Sequence, residues 1–260
     1  MRKIGFLNSS FVFLGSLVLF FIVAPLVGMV LNTTPGALLE TTKDKEVISS
    51  VCLTISTAFG ATIVSALAVI PLAYLLARKE FFGKRIILGI INLPVVIPHS
   101  AAGIAVLGFV SRDTLIGQAA ESLGFSFVGN PVGISVAMAF VSVPFLINAA
   151  RDGFQAVPER LEKAALNLGA KPLRVFFSIS LPLAWRSIVS GLIMMFARGM
   201  SEFGAVVIIA YHPMITPVLI YERFGSFGLK HAVPVSVFFI AVCLVFFVLL
   251  RLLTKERKHA

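Results

Sequence analysis

The sequence predicts an all-α integral membrane protein with six transmembrane helices. Three observations predict it. Of 260 residues, 58% are apolar and only 13% charged, with a mean hydropathy of +0.99, whereas a soluble domain carries about 25% charged residues. Six runs are long and apolar enough to cross the hydrocarbon, which takes about 20 residues at about 1.5 Å each. The basic residues fall mostly in short clusters between those runs. A net charge of +10 therefore reflects loops at a lipid surface, not a nucleic-acid face.

The first span covers 11–31. It follows Arg2 and Lys3 and passes through Pro25 with no small-residue cleavage site, so it reads as a retained span and not a signal peptide. The second covers 48–77. The third, 86–110, is interrupted by Pro94 and Pro98, and the fourth, 132–150, by Pro144. The fifth and sixth cover 185–210 and 233–253. Residues 1–260 form one transmembrane unit, with no soluble domain, linker or internal repeat of the kind that marks many secondary transporters. Cys52 and Cys243 lie inside apolar runs, lack metal-ligand spacing and are expected to be small buried hydrophobes.

Orientation follows the positive-inside rule. Arg2 and Lys3, then Arg78, Lys79, Lys84 and Arg85, fall on one side. So do Arg151, Arg160, Lys163, Lys171, Arg174 and Arg186 of the 151–184 loop and its edge, and Arg251, Lys255, Arg257 and Lys258 of the tail. The other side holds Lys43, Lys45, Arg112, Arg223 and Lys230. The richer side faces the cytoplasm of a plasma membrane, together with both termini.

The 151–184 loop contains VPERLEKAALNLGAKP, a short helix. Pro158 suits its first turn, and Glu159 and Glu162 suit its positive N-terminal end. Leu161, Ala164, Ala165 and Leu168 recur at helical spacing, Gly169 is a helix-ending residue and Pro172 prevents a restart. The apolar face is narrow and Ala-rich, which anchors poorly in lipid but admits close docking into a protein groove. A cytoplasmic partner protein is expected.

These residues resemble the Glu-Ala-Ala loop of ABC-importer permeases. Ala164-Ala165, Gly169 and Ile179-Ser180-Leu181-Pro182 keep the family's spacing, while Lys163 stands where the family often has Glu and Glu162 lies one place earlier. RKEFFGKRIILGIINLPVVIPHSAAGIAV and ARGMSEFGAVVIIAYHPMITPVLIYERF resemble permeases of the sulfate/molybdate group. Ser201 to Ala205 followed by Tyr211 to Phe224 is similar to the archaeal tungstate/molybdate branch. The resemblance implies a type I ABC importer permease fold. It also implies that Glu159, Glu162, Lys163, Ala164, Ala165, Leu168, Gly169 and Pro172 form a coupling helix and its ends, seated on an ATP-binding subunit. A homodimer, two ATP-binding subunits and an extracellular oxyanion-binding protein are the implied partners.

No Walker-type loop is present, since Gly83-Lys84-Arg85 lacks both the upstream glycine and the hydroxyl. The expectation is a permease that is not itself an enzyme and binds no cofactor, with ATP and Mg held by the partner. No metal-ligand cluster stands out, and His99, His212, His231 and His259 are scattered.

Two polar groups interrupt the apolar runs. Arg198 and Glu202 stand four apart near the middle of the fifth span. An internal ion pair explains them, as does a pathway wall on which Arg198 attracts a dianion, and the two readings coexist. Ser201 belongs to the same stretch. Asn92, Pro94, Pro98, His99 and Ser100 mark a break in the third span, read either as a kink or as a gate facing the ion. Gly103 and Gly108 permit close helix packing nearby.

The leading function is an ATP-driven importer of molybdate or tungstate. A sulfate or other oxyanion permease is the nearest alternative. A self-sufficient ion-coupled transporter fits less well because only Glu202 matches it, and a membrane scaffold leaves the polar residues unexplained.

Overall fold

The computed structural model describes residues 2–253, the side chains of 2–7, 251 and 253 excepted. Lys255, Arg257, Lys258 and His259 lie outside the described residues. The helices run in order: α1 (Arg2–Leu31), α2 (Pro35–Lys43), α3 (Lys45–Arg78), α4 (Lys84–Val96), α5 (His99–Val110), α6 (Leu115–Ser122) and α7 (Pro131–Ala156). Then follow α8 (Glu159–Asn167), α9 (Pro172–Val175), a π-helical turn (Phe176–Ser180), α10 (Leu181–Met200), α11 (Gly204–Ile209), α12 (Thr216–Phe227) and α13 (Leu229–Leu253).

Five helical stretches are long and apolar enough to cross a membrane, and the α4–α5 pair makes a sixth if counted as one broken span. The described residues contain no β-strand. Helix α7 is the centre of the bundle, packed by both α3 and α10, which also touch each other. Its Pro144 is buried inside a continuous helix, so the fourth run is not interrupted after all. A proline removes one ladder hydrogen bond, and neighbouring helices support the turn it loosens.

Two expected boundaries shift. The fifth span starts well before residue 185, because α9, the π turn and α10 run together from Pro172. It also ends at Met200 and not at 210, since residues 201–203 leave the helix before α11 begins. Arg198 therefore sits in the last turn of its helix. It is still about 18 Å along the axis from Arg186, by the helical rise.

Three short helices, α2, α6 and α12, occupy stretches expected as loops. Each has a local start signal: Thr34 caps α2, Thr114 caps α6, and Pro217 stands in the first turn of α12. A buried hydroxyl cluster ties α12 to α3. Thr216 N–H donates to Thr54 Oγ1 at 2.9 Å, and Thr216 Oγ1 lies within 3.1–3.3 Å of Thr54 Oγ1 and Ser50 Oγ. On the same side Arg223 bridges to Asp44, the N-cap of α3, at 2.6 Å and to Glu46 at 3.0 Å. Cys52, expected to be buried, is exposed on α3, and Cys243 is half-buried.

Candidate functional site

The third span breaks between Val96 and His99. Pro98 forces Ile97 into an extended conformation (φ −72°, ψ 150°), and α5 leaves at 113° to α4. The second break follows Met200. There the Glu202 carboxylate turns back to accept the Ala205 N–H at 2.8 Å, which satisfies an orphan donor at the start of α11. α5 and α11 pack against each other and bring the two breaks together. The approach depends on absent side chains. A Cβ at Gly204 would lie 2.8 Å from the His99 Cβ, and one at Gly103 would lie 2.9 Å from the Ala205 backbone. Gly108, expected to serve similarly, faces open space.

One buried carboxylate organises the junction. Glu202 is 1% exposed. Its Oε2 lies 2.7 Å from His99 Nδ1 and 2.9 Å from Arg198 Nη2. Arg198 Nη2 is also 2.7 Å from His99 Nδ1 and 2.9 Å from His99 Nε2. Arginine only donates, so with Nδ1–H donating to Glu202 only Nε2 is left to accept from Arg198, and the 2.7 Å Nη2–Nδ1 approach is a close contact between two donors and not a hydrogen bond. Arg198 Nη1 donates to Ser201 Oγ at 3.3 Å. The carboxylate is hidden, while the Arg198 side chain is 24% exposed and Ser100 and Ser201 are open. The junction therefore presents a guanidinium and two hydroxyls, with the neutralising charge beneath. Donors of these kinds can hydrogen-bond an anion that carries several oxygens.

Of the predicted pathway residues, Pro98, His99, Ser100, Arg198, Ser201 and Glu202 meet at this junction. Asn92 and Pro94 do not. Both lie within α4, where Pro94 is buried and Asn92 accepts a 2.7 Å hydrogen bond from Asn148 of α7.

A second site lies on α8. Helix α8 ends as predicted at Gly169, whose φ of +85° is left-handed. Gly169 N–H bonds to Leu166 O and Ala170 N–H to Ala165 O, the paired closure that such a glycine permits. Leu161, Ala164 and Leu168 are exposed, and Ala165 is half-buried. Pro172 opens α9. Glu159 and Lys163 pair on the outer face at 2.8 Å, and the Lys163 hydrogen bond and charge hold the Glu159 carboxyl below its usual range. Glu162, grouped on sequence with the outward residues, instead turns into its own chain and is 7% exposed. Its partner is Arg78, at 2.8 Å.

The match to known proteins decides what these sites belong to. Residues 69–259 fit the family described as binding-protein-dependent transport system inner membrane component. The chain belongs to that family. Like other family members it is a transport component, with the apolar helices of a multi-pass membrane permease. It is 43% identical over 95% of its length to the molybdate/tungstate transport system permease protein WtpB of Pyrococcus abyssi, covering 96% of that protein. It is 41% identical to the WtpB of Thermococcus kodakarensis, with 96% of each chain covered. A probable sulfate transport system permease protein of Chlorokybus atmophyticus is more distant, at 33% over 76% of this chain and 70% of that one. The fold matches a bacterial ABC transporter that imports the acidic polysaccharide alginate. There the TM-score is 0.74 at 16% identity, covering 95% of this chain and 94% of the other. The type I ABC importer permease fold expected from the sequence is the fold observed.

Within this permease, sequence reasoning missed the tie between His99 and Glu202. They stand 103 positions apart, and no spacing rule links them. Arg78 went unnoticed as the Glu162 partner for the same reason, being 84 positions away.

Proposed function

We propose that this chain is the membrane-spanning subunit of an ATP-driven importer that carries molybdate or tungstate into the cytoplasm. It works as a homodimer with two ATP-binding subunits and an extracellular oxyanion-binding protein. ATP and its Mg ion belong to the partner, this chain binds no cofactor, and both termini face the cytoplasm. The observation that carries the reading is the Arg198 guanidinium, partly exposed over a buried Glu202 where two helix breaks meet. The full-length similarity to proteins named for molybdate and tungstate supplies the substrate.

Specificity rests mainly with the binding protein, because a passage that holds its ion tightly cannot release it. Helix α8 presents Leu161, Leu166 and Leu168 to the ATP-binding subunit, and closure of that subunit pair pulls the two copies of α8 together. Pro98 and the 201–203 break give the spans a place to reorient, with Ser100, Ser201 and Arg198 facing the ion.

Reconstitution of the chain with its ATP-binding and oxyanion-binding partners in liposomes tests this. ATP-dependent uptake of molybdate or tungstate is expected, with sulfate competing weakly. Uptake without the ATP-binding subunit overturns the importer reading, and preferential sulfate uptake overturns the substrate.

A further inference from the structure

Glu162 is the only buried residue of α8. A surface helix is normally held down by its apolar side chains, yet Leu161 and Leu166 are each 42% exposed and Leu168 is 89% exposed. The attachment of α8 to the body is a charge, and it is built with care. Arg78 Nη2 and Nε both donate to Glu162 Oε1, at 2.8 and 3.0 Å, and Nε also lies 3.0 Å from Oε2. Ser180 Oγ donates to Oε1 at 2.7 Å, and Tyr74 OH donates to Oε2 at 3.4 Å. Arg78 Nη2 donates as well to Val157 O at 2.9 Å.

Four segments therefore meet at one ion pair: the end of α3, the end of α7, helix α8 and the π turn that leads into α10. Beneath it lies an aromatic floor. Tyr74 packs edge-on against Phe154 (5.3 Å) and Phe176 (5.0 Å). A pair of well-packed apolar residues in place of both Arg78 and Glu162 would serve simple adhesion as well, because a buried ion pair is a poor net stabiliser compared with hydrophobic packing. What the fork adds is direction. A guanidinium held at three angles fixes how α8 is oriented relative to α3, and a displacement of either element loads the other. The π turn beside it is a local departure from helix of the kind that recurs at functional sites.

We infer that the Arg78–Glu162 pair is the joint that makes α8 and α3 move as one body, so that both are positioning residues for coupling. Motion imposed on α8 then reaches the membrane through α3 and the π turn. The inference rests on α8 being the helix that docks the ATP-binding subunit.

The test uses the full complex in liposomes, with Leu168→Cys cross-linking to the ATP-binding subunit as the readout of docking. Glu162→Gln and Arg78→Lys keep much of the volume but lose the charge or the fork. Both are expected to preserve the cross-link and ATP hydrolysis while oxyanion transported per ATP falls about tenfold. Ser180→Ala, which leaves the ion pair in place, should fall less, and it serves as the readout if the other variants do not assemble. An unchanged transport-to-ATP ratio with the cross-link intact in the assembling variants overturns the joint. Absence of the cross-link in the otherwise wild-type complex overturns the docking reading instead.

Discussion

The Glu202 carboxylate lies 2.7 Å from Nδ1 of His99, joining two helix breaks that stand 103 positions apart. Each break alone leaves backbone polar groups without helical partners. Together they satisfy one another, because Glu202 closes the start of α11 through Ala205 N–H and orients the first residue of α5 through His99. Arg198 is held by the same carboxylate at 2.9 Å. The cation thus owes its position to both broken helices, and a relative shift of α5 and α11 repositions it.

Gly204 is where that junction tolerates least change. A Cβ there would stand 2.8 Å from the His99 Cβ and 3.3 Å from the Ser100 nitrogen, and the latter is backbone that cannot swing aside. Gly204→Ala should cost about 1–3 kcal/mol as an overpacked contact. The purified protein should melt at lower temperature, and transport should fall with it. Gly108→Ala meets nothing within 4 Å and serves as the control. Equal melting of the two variants would show that α5 and α11 are farther apart than described.

The six apolar stretches were legible because lipid imposes length and composition on a span. The end of the fifth was not legible, since Ala205 to Ile209 is as apolar as a continuing helix and only the Glu202 cap reveals the break. On α8, Pro158, Gly169 and Pro172 are local signals, and the helix falls where they place it. The inward turn of Glu162 depends on Arg78, a long-range partner, and periodicity carries no information about such a pair. α12 had a readable start in Thr216-Pro217, but its apolar residues are too few to stand out beside the spans.

At the Arg223–Asp44 pair, burial raises the Asp44 pKa, but the Arg223 hydrogen bond, the backbone donors of Glu46 and Val47 and the Arg223 charge together hold it below the ordinary value of 3.8. A carboxyl depressed in the folded state contributes stability that is complete above its unfolded pKa. That contribution is lost as pH falls through the folded value. Wild type should therefore melt above Asp44→Asn near neutral pH, and the gap should close as pH drops below the ordinary carboxylate range. Melting curves of both proteins across pH 3–7 read this directly. A gap that widens on acidification contradicts the sign.

Gly169 tests the geometry of α8. Its φ of +85° admits glycine readily and strains a β-branched residue, although a Cβ would meet no neighbour within 4 Å. The cost of Gly169→Val is therefore backbone strain alone, about 1 kcal/mol or more. The spans should insert normally while ATP-dependent uptake drops several-fold. Gly169→Asn, a residue that tolerates the left-handed region, should recover most of the uptake. Unaltered uptake by the valine variant would separate the closure of α8 from coupling.

Arg198 decides between an ion pair that only holds the junction together and a cation that serves the substrate. Arg198→Lys keeps the charge but loses the planar fork, so transport should fall only in part. Arg198→Ala leaves Glu202 buried with His99 and the Ala205 N–H as its remaining partners, and removing one member of a buried pair typically costs about 3–5 kcal/mol. Assembly should suffer along with transport. The double change Arg198→Ala with Glu202→Gln removes the uncompensated charge while keeping an amide oxygen to accept from Ala205 or His99. A structural role alone predicts that this variant assembles and transports like wild type. A role toward the anion predicts assembly close to wild type with uptake reduced about tenfold or more, because a dianion in a low-dielectric passage then lacks its compensating cation. Measured together, uptake and complex yield separate the two, and full uptake by a well-assembled double variant would take Arg198 off the path of the ion.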